Sequence, residues 1–163
     1  MSEVNLSGQP ASLSGQPASL SGQPASRLME ALGLVIDEHQ AGEQGGCTSV
    51  RGHIDAGPDH HTPLGIVHGA LYSGAIETAA SVGATLAVLD SGQVAVGVDN
   101  VTDFVRPVRQ GRLDVSARAV NQGKTLQLWE VEITDDRGRL VARGRVRLAN
   151  RPRPGEAAPA GAG

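Results

Sequence analysis

The sequence predicts an α+β fold, with one long buried helix laid against an antiparallel sheet. Three observations carry this. Residues 69–89 read GALYSGAIETAASVGATLAVL, a long run without proline and almost without charge. Four strand candidates follow in series, at 93–108, 112–121, 126–134 and 140–150, with no second helical pattern among them. The segments Gln122-Gly123-Lys124 and Asp135-Asp136-Arg137-Gly138 have the composition of hairpin turns.

The elements follow in order. LSGQPAS occurs three times in tandem over residues 6–26. Each copy carries a proline, so the seven-residue period is not a coiled coil. With so little to bury, residues 1–26 are expected to form a flexible tail without a catalytic role. Residues 27–32 predict a short helix, and 33–37 and 47–54 predict strands. Residues 57–63, GPDHHTP, read as a loop punctuated by two prolines. Residues 93–108 form one long strand, with a bend marked by Asn100 or Asp103. Residues 112–121 alternate, with Leu113, Val115, Ala117 and Ala119 on one face and Asp114, Ser116 and Arg118 on the other. The last four strands are expected to pair as a meander. Residues 152–163 are rich in Pro, Ala and Gly and read as a second tail, leaving 27–151 as the folded domain.

Composition removes several function classes. The chain has 163 residues and a net charge of −3. That balance argues against a nucleic acid partner, and three aromatic residues (Tyr72, Phe104 and Trp129) are too few for a base-stacking platform. Cys47 is the one cysteine, which rules out an internal disulfide and a cysteine zinc site and reads as a small apolar side chain. His53, His60, His61 and His68 show no metal-ligand spacing, and no metal is expected. No signal peptide pattern opens the chain, so the expected compartment is the cytoplasm.

The long helix carries the functional signal. Glu77 is its one charged residue. A membrane span is rejected because Gly, Ser and Thr recur, no aromatic belt flanks the run, and an acid sits in its middle. An apolar helix of a water-exposed protein is a buried one. A carboxylate there, with no Lys or Arg on its flanks, costs free energy and is retained for a task. Just before the helix stands Gly65-Ile66-Val67-His68-Gly69. A helix N-terminus offers free N–H groups and partial positive charge, and glycine lets a carbonyl oxygen approach them. That is the geometry of an oxyanion hole.

The run LGIVHGALYSGAIETAASVGA followed by DFVRPVRQG resembles the hotdog-fold acyl-CoA thioesterases. The likeness is strongest to the branch of the phenylacetate-pathway and actinobacterial 4-hydroxybenzoyl-CoA thioesterases. It covers residues 33–153. It implies a central helix wrapped by an antiparallel sheet, and hydrolysis of an aromatic or medium-sized acyl-CoA. It also implies that Glu77 is the nucleophile or general base and that the Gly69 N–H polarises the thioester carbonyl. Ser81, one turn beyond Glu77, is a candidate to orient the carboxylate or a water. The family's second glycine is Ala70 here, and its positioning Asn or Gln is Thr62. His68 is shared with the family and reads as a support of the turn or a substrate contact. Arg106 and Arg153 are candidates for the coenzyme A phosphates, and Thr125 for the pantetheine arm. Arg143, Arg145 and Arg147 alternate along the last strand as a solvated face. No cofactor is expected beyond the coenzyme A of the substrate.

Gly69 and Glu77 are eight residues apart, about 12 Å along a helix. One thioester carbon cannot meet both in one protomer, so the resemblance and the spacing together predict a homodimer with shared sites. The family habit extends this to a homotetramer. The competing readings are a non-catalytic acyl-CoA-binding module and an enoyl-CoA hydratase of the same fold.

Overall fold

The computed structural model describes residues 26–43 and 45–154. The tandem repeat and most of the C-terminal Pro/Ala/Gly segment lie outside the described residues. The elements are α1 (Arg27–Leu32), β1 (Val35–Ala41), β2 (Cys47–Ala56), α2 (Gly69–Val88), β3 (Gln93–Phe104), β4 (Gly111–Gln122), β5 (Leu126–Asp135) and β6 (Leu140–Pro152), with single 3-10 turns at Pro58–His60 and Leu89–Ser91. All six strands form one antiparallel sheet in the order β1-β2-β4-β5-β6-β3.

That order corrects the expected meander. Of the last four strands only β4, β5 and β6 are consecutive neighbours; β3 pairs with β6, and β4 pairs with β2. The cause is the connection over residues 105–110. It lacks a turn dipeptide and contains Pro107, so it runs extended. It crosses three strand spacings, about 14 Å, within the reach of six extended residues. The amides of Val105 and Arg106 are pinned to the Val141 carbonyl, and the Val108 carbonyl accepts from Val67 N–H. The crossing therefore lies at the N-terminus of α2.

Boundaries also differ from expectation: the strand read over 33–37 runs Val35–Ala41, and the one read over 47–54 runs to Ala56. The strand read over 93–108 ends at Phe104, and its irregularity falls between Gly97 and Asp99 rather than at Asn100 or Asp103. At the other end β6 extends through Pro152, which pairs with Gln93.

The bulge at Val98 governs which side chains meet α2. Successive residues of a strand face opposite ways, and one extra residue reverses the parity. Gly97 and Asn100 thereby share the helix side. Asp99 and Asp103 lie on the outer side, paired with Arg147 and Arg143.

The core lies between α2 and the concave face of the sheet. Ala75, Ile76, Ala79, Ala80 and Ala84 are buried on the helix, facing Leu113, Val115, Trp129, Val131 and Val146. Small residues set the depth of this packing. A Cβ on Gly83 would stand 2.5 Å from the fully buried Trp129 ring, and one on Gly74 would meet Leu32 of α1 at 2.8 Å. Arg143, Arg145 and Arg147 are exposed, as alternation predicts. Cys47 is buried and its thiol donates to the Ser49 carbonyl; burial pushes that thiol up. No helix among the described residues is long and apolar enough to cross a membrane.

Candidate active site

α2 carries the candidate groups at two levels. At its start, His68 is the N-cap. Its Nδ1 accepts from Ala70 N–H at 2.9 Å, and its carbonyl accepts from Leu71 N–H at 3.0 Å. Gly69 N–H has no acceptor among the described residues. Thus His68 satisfies the second and third amides and leaves the first open at the positive end of the helix dipole. The His68 amide is itself held by the His60 carbonyl, which fixes the cap.

A pocket of about 290 Å³ opens at this end, with Thr62, Gly69, Tyr72, Phe104, Arg106 and Pro107 in its wall. The structure thus brings together three residues singled out from the sequence: Thr62, Gly69 and Arg106. Thr62 Oγ1 accepts from Leu64 N–H at 3.2 Å, which fixes the loop that rims the pocket. Arg109, the other arginine flanking Pro107, is used differently: it donates to the Gly65 carbonyl at 3.2 Å.

Two turns further on, half-buried Glu77 points at β3. Its carboxylate fills the space a Cβ on Gly97 would need. Asn100 Nδ2 donates to Glu77 Oε2 at 2.9 Å and to the Ser73 carbonyl at 3.2 Å. Thr102 Oγ1 donates to Asn100 Oδ1 at 2.7 Å, which orients that amide. Glu77 is therefore held by a relay from Thr102 through Asn100. Ser81 is half-buried one turn beyond and makes no hydrogen bond to Glu77 among the described residues.

Thr125 and Arg153 lie elsewhere. Both are exposed at the opposite end of α2, where the Thr125 carbonyl accepts from Asn150 N–H and Arg153 N–H donates to Gly92. A helix of 20 residues is about 30 Å long, so a single protomer does not join them to Gly69 or Arg106.

Asn100, Thr102, Gly97 and Tyr72 did not emerge as site residues from the sequence. One signal was present: asparagine is depleted in strand interiors, so Asn100 in an apolar strand marks a special position. Three other histidines have local tasks. His53 Nδ1 bonds Asp37 at 2.8 Å, His60 Nδ1 accepts from Gly57 N–H at 3.2 Å, and His61 bonds the Arg109 carbonyl.

Residues 64–142 match the family model described as the Thioesterase superfamily. A Mycobacterium tuberculosis protein, Rv1847, named as a candidate esterase, is 44% identical over 108 residues, which span 64% of this chain and 76% of that protein.

The chain belongs to the Thioesterase superfamily.

The solved structure of that mycobacterial protein superposes with a TM-score of 0.72 at 38% identity, covering 82% of this chain and all of the other. A thioesterase structure from Haemophilus influenzae gives a TM-score of 0.68 at 26% identity, covering 77% of this chain and 82% of the other. The 1,4-dihydroxy-2-naphthoyl-CoA hydrolase of Listeria monocytogenes is 29% identical over 89 residues, 55% of this chain and 72% of that protein. The fold is the hotdog fold of these thioesterases, and the chain is a thioester hydrolase.

Proposed function

We propose that this superfamily member hydrolyses an acyl-CoA thioester with an aromatic or medium-sized acyl group, releasing the free acid and coenzyme A. The observation that carries the reading is the Glu77 carboxylate, positioned by Asn100 on an otherwise apolar helix. In the reaction the open Gly69 N–H polarises the thioester carbonyl and stabilises the oxyanion. Glu77 either attacks the carbonyl carbon or takes a proton from the attacking water. Arg106, exposed at the pocket mouth, receives a coenzyme A phosphate.

The active unit is a homodimer with two composite sites. β3 is an edge strand of 12 residues with exposed Val96, Val98, Val101 and Phe104, and an unpaired apolar edge seeks another strand. Pairing two β3 edges about a twofold axis lays the two α2 helices antiparallel. The start of one helix then faces the middle of the other, which brings Gly69 of one protomer to Glu77 of its partner. The same step brings the Thr125 and Arg153 end of one chain toward the Arg106 end of the other. Association of two such dimers gives a tetramer.

The test mixes two inactive chains. Glu77→Gln keeps the size of the side chain and removes its charge, and kcat should fall at least ~100-fold with the fold intact. Gly69→Val blocks the open amide at the wall already touched by Phe104. Reassociated in equal amounts, the two chains should recover about a quarter of wild-type activity, since half the dimers are mixed and each has one intact site. Near-normal hydrolysis by Glu77→Gln removes the mechanism. Mixed dimers that form and stay inactive remove the shared site.

A further inference from the structure

The fold treats the two oxygens of the Glu77 carboxylate differently. Oε2 accepts from Asn100 Nδ2 at 2.9 Å. Oε1 has no hydrogen bond among the described residues. The one side-chain N or O atom there that is both buried and partnerless is the Tyr72 hydroxyl, so Oε1 keeps contact with solvent. Residues of β3 build this difference. The Asn100 amide cannot turn over. Its Nδ2 faces two acceptors, Glu77 Oε2 and the Ser73 carbonyl, while its Oδ1 accepts from Thr102 Oγ1 at 2.7 Å. Exchanging its ends would set Oδ1 against both acceptors. Gly97 does the rest. A Cβ there would collide with Oε1 but stand 4.0 Å from Oε2, so it is Oε1 that lies over the bare Cα. Gly97 is exposed on an edge strand. Its backbone is outside the left-handed region, so no turn demands glycine. Glycine weakens a strand, and it marks places where another group must come close.

We propose that Asn100 and Gly97 are positioning residues that reserve one oxygen of Glu77, Oε1, for the reaction. Asn100, locked by Thr102, ties down Oε2, and Gly97 keeps the space around Oε1 clear. The inference rests on the reading of Glu77 as nucleophile or general base, and it adds which atom acts and what holds it. As nucleophile, Oε1 bonds to the thioester carbonyl carbon, the C–S bond breaks, and the thiolate leaves; water then cleaves the acyl–Glu77 anhydride. As base, Oε1 takes the proton of the water whose oxygen bonds to that carbon, and the thiolate leaves in the same way. Both routes need an oxygen with free lone pairs, held in place and open to approach.

Steady-state hydrolysis of benzoyl-CoA, phenylacetyl-CoA and hexanoyl-CoA tests this, with melting temperature and sedimentation measured on the same samples. Gly97→Ala adds one methyl where Oε1 lies. The end of a flexible side chain can swing away from it, so the fold should hold while kcat falls about 100-fold, the scale of a misplaced reacting group. Asn100→Ala should lower kcat about 10–100-fold, since the lost bond is one to a charged group. Thr102→Val should lower it less, and Thr102→Ser, which keeps the hydroxyl, should recover most of that loss. In every case KM and melting temperature should stay near wild type, because a loss in kcat alone marks a residue that acts in the chemical step. Wild-type kcat in Gly97→Ala or Asn100→Ala overturns the proposal, as does a Thr102→Ser chain no more active than Thr102→Val. So does a loss that appears in KM, or one that accompanies a fall in melting temperature or self-association, which would give these residues a structural task. Glu77→Gln keeps the two readings apart. If it is inactive while the β3 variants keep kcat, the reading of Glu77 stands and the positioning role fails. If it hydrolyses normally, Glu77 does not act and both fail. A wild type inactive toward all three thioesters overturns both.

Discussion

The two ends of α2 handle polar groups in opposite ways. At the C-terminal end every buried amide is matched. Gln127 is 1% exposed; its Nε2 donates to the Ala84 carbonyl at 2.9 Å and to Asn150 Oδ1 at 2.8 Å, and its Oε1 accepts from Trp129 Nε1 at 3.0 Å. Asn150 Nδ2 in turn donates to the Gly123 and Lys124 carbonyls, which ties the β4–β5 hairpin to the last strand. At the N-terminal end, Gly69 N–H and the Tyr72 hydroxyl have no partner among the described residues. A saturated network rigidifies, because each group has nothing left to offer a ligand. Open groups cost stability and keep capacity for substrate. The difference separates the end that holds the fold from the end proposed above to bind substrate, and three substitutions probe it.

The largest expected effect is at the saturated end. Gln127→Leu keeps the volume roughly constant but strands Trp129 Nε1 and Asn150 Oδ1. Each buried orphan costs about 1–3 kcal/mol, so a loss of about 3 kcal/mol or more is expected in denaturant unfolding. An unchanged midpoint would show that this network does not hold the fold.

Arg106→Ala acts at the open end and should spare stability. It should raise KM for acyl-CoA by up to about 10–100-fold, the reach of one charge-assisted bond worth roughly 1.5–3 kcal/mol. The KM for a truncated acyl-pantetheine thioester should barely move. Equal changes on both substrates would place Arg106 away from the nucleotide.

The smallest effect lies outside both ends. In the β5–β6 hairpin, the Arg139 guanidinium bonds Asp135 at 2.8 Å, and the amides of Arg137 and Arg139 reinforce it. Together they lower the carboxyl to about 2. A carboxyl lowered in the folded state contributes stability above its unfolded value, about 3.9, and loses that contribution as pH falls through the folded value. Melting temperature should therefore drop between about pH 4 and pH 2, and Asp135→Asn should flatten the slope in that window. An identical acid slope in the variant would assign the transition to other carboxylates.

Local patterns were legible in the sequence, and long-range ones were not. An unbroken run of small and apolar residues set α2 to within one residue of its observed C-terminal end, and alternation set the two faces of β4. Glu77 stood out because nothing near it in the chain could pair with it. Its actual partner, Asn100, is 23 residues away on a strand whose facing depends on the bulge at Val98. No local pattern records that register. The strand order failed for the same reason: a meander assumes neighbours in sequence are neighbours in space, and the proline-containing crossing after Phe104 breaks that assumption. Tyr72 carried no local signal, because the lack of a partner for its oxygen among the described residues is visible only in three dimensions.

The bulge at Val98 works like a reading frame. Upstream of it the strand is read in one phase, downstream in the other, and only the shifted phase turns Asn100 toward Glu77. The side chain at position 98 is exposed and plays no part in setting that phase. The number of residues between Gly97 and Asn100 sets it. Losing one would send Asn100 and Thr102 to the outer surface and turn Asp99 and Asp103 inward against an apolar helix, stripping both acids of their arginines. Along β3 the spacing of Gly97 and Asn100 matters as much as their identities.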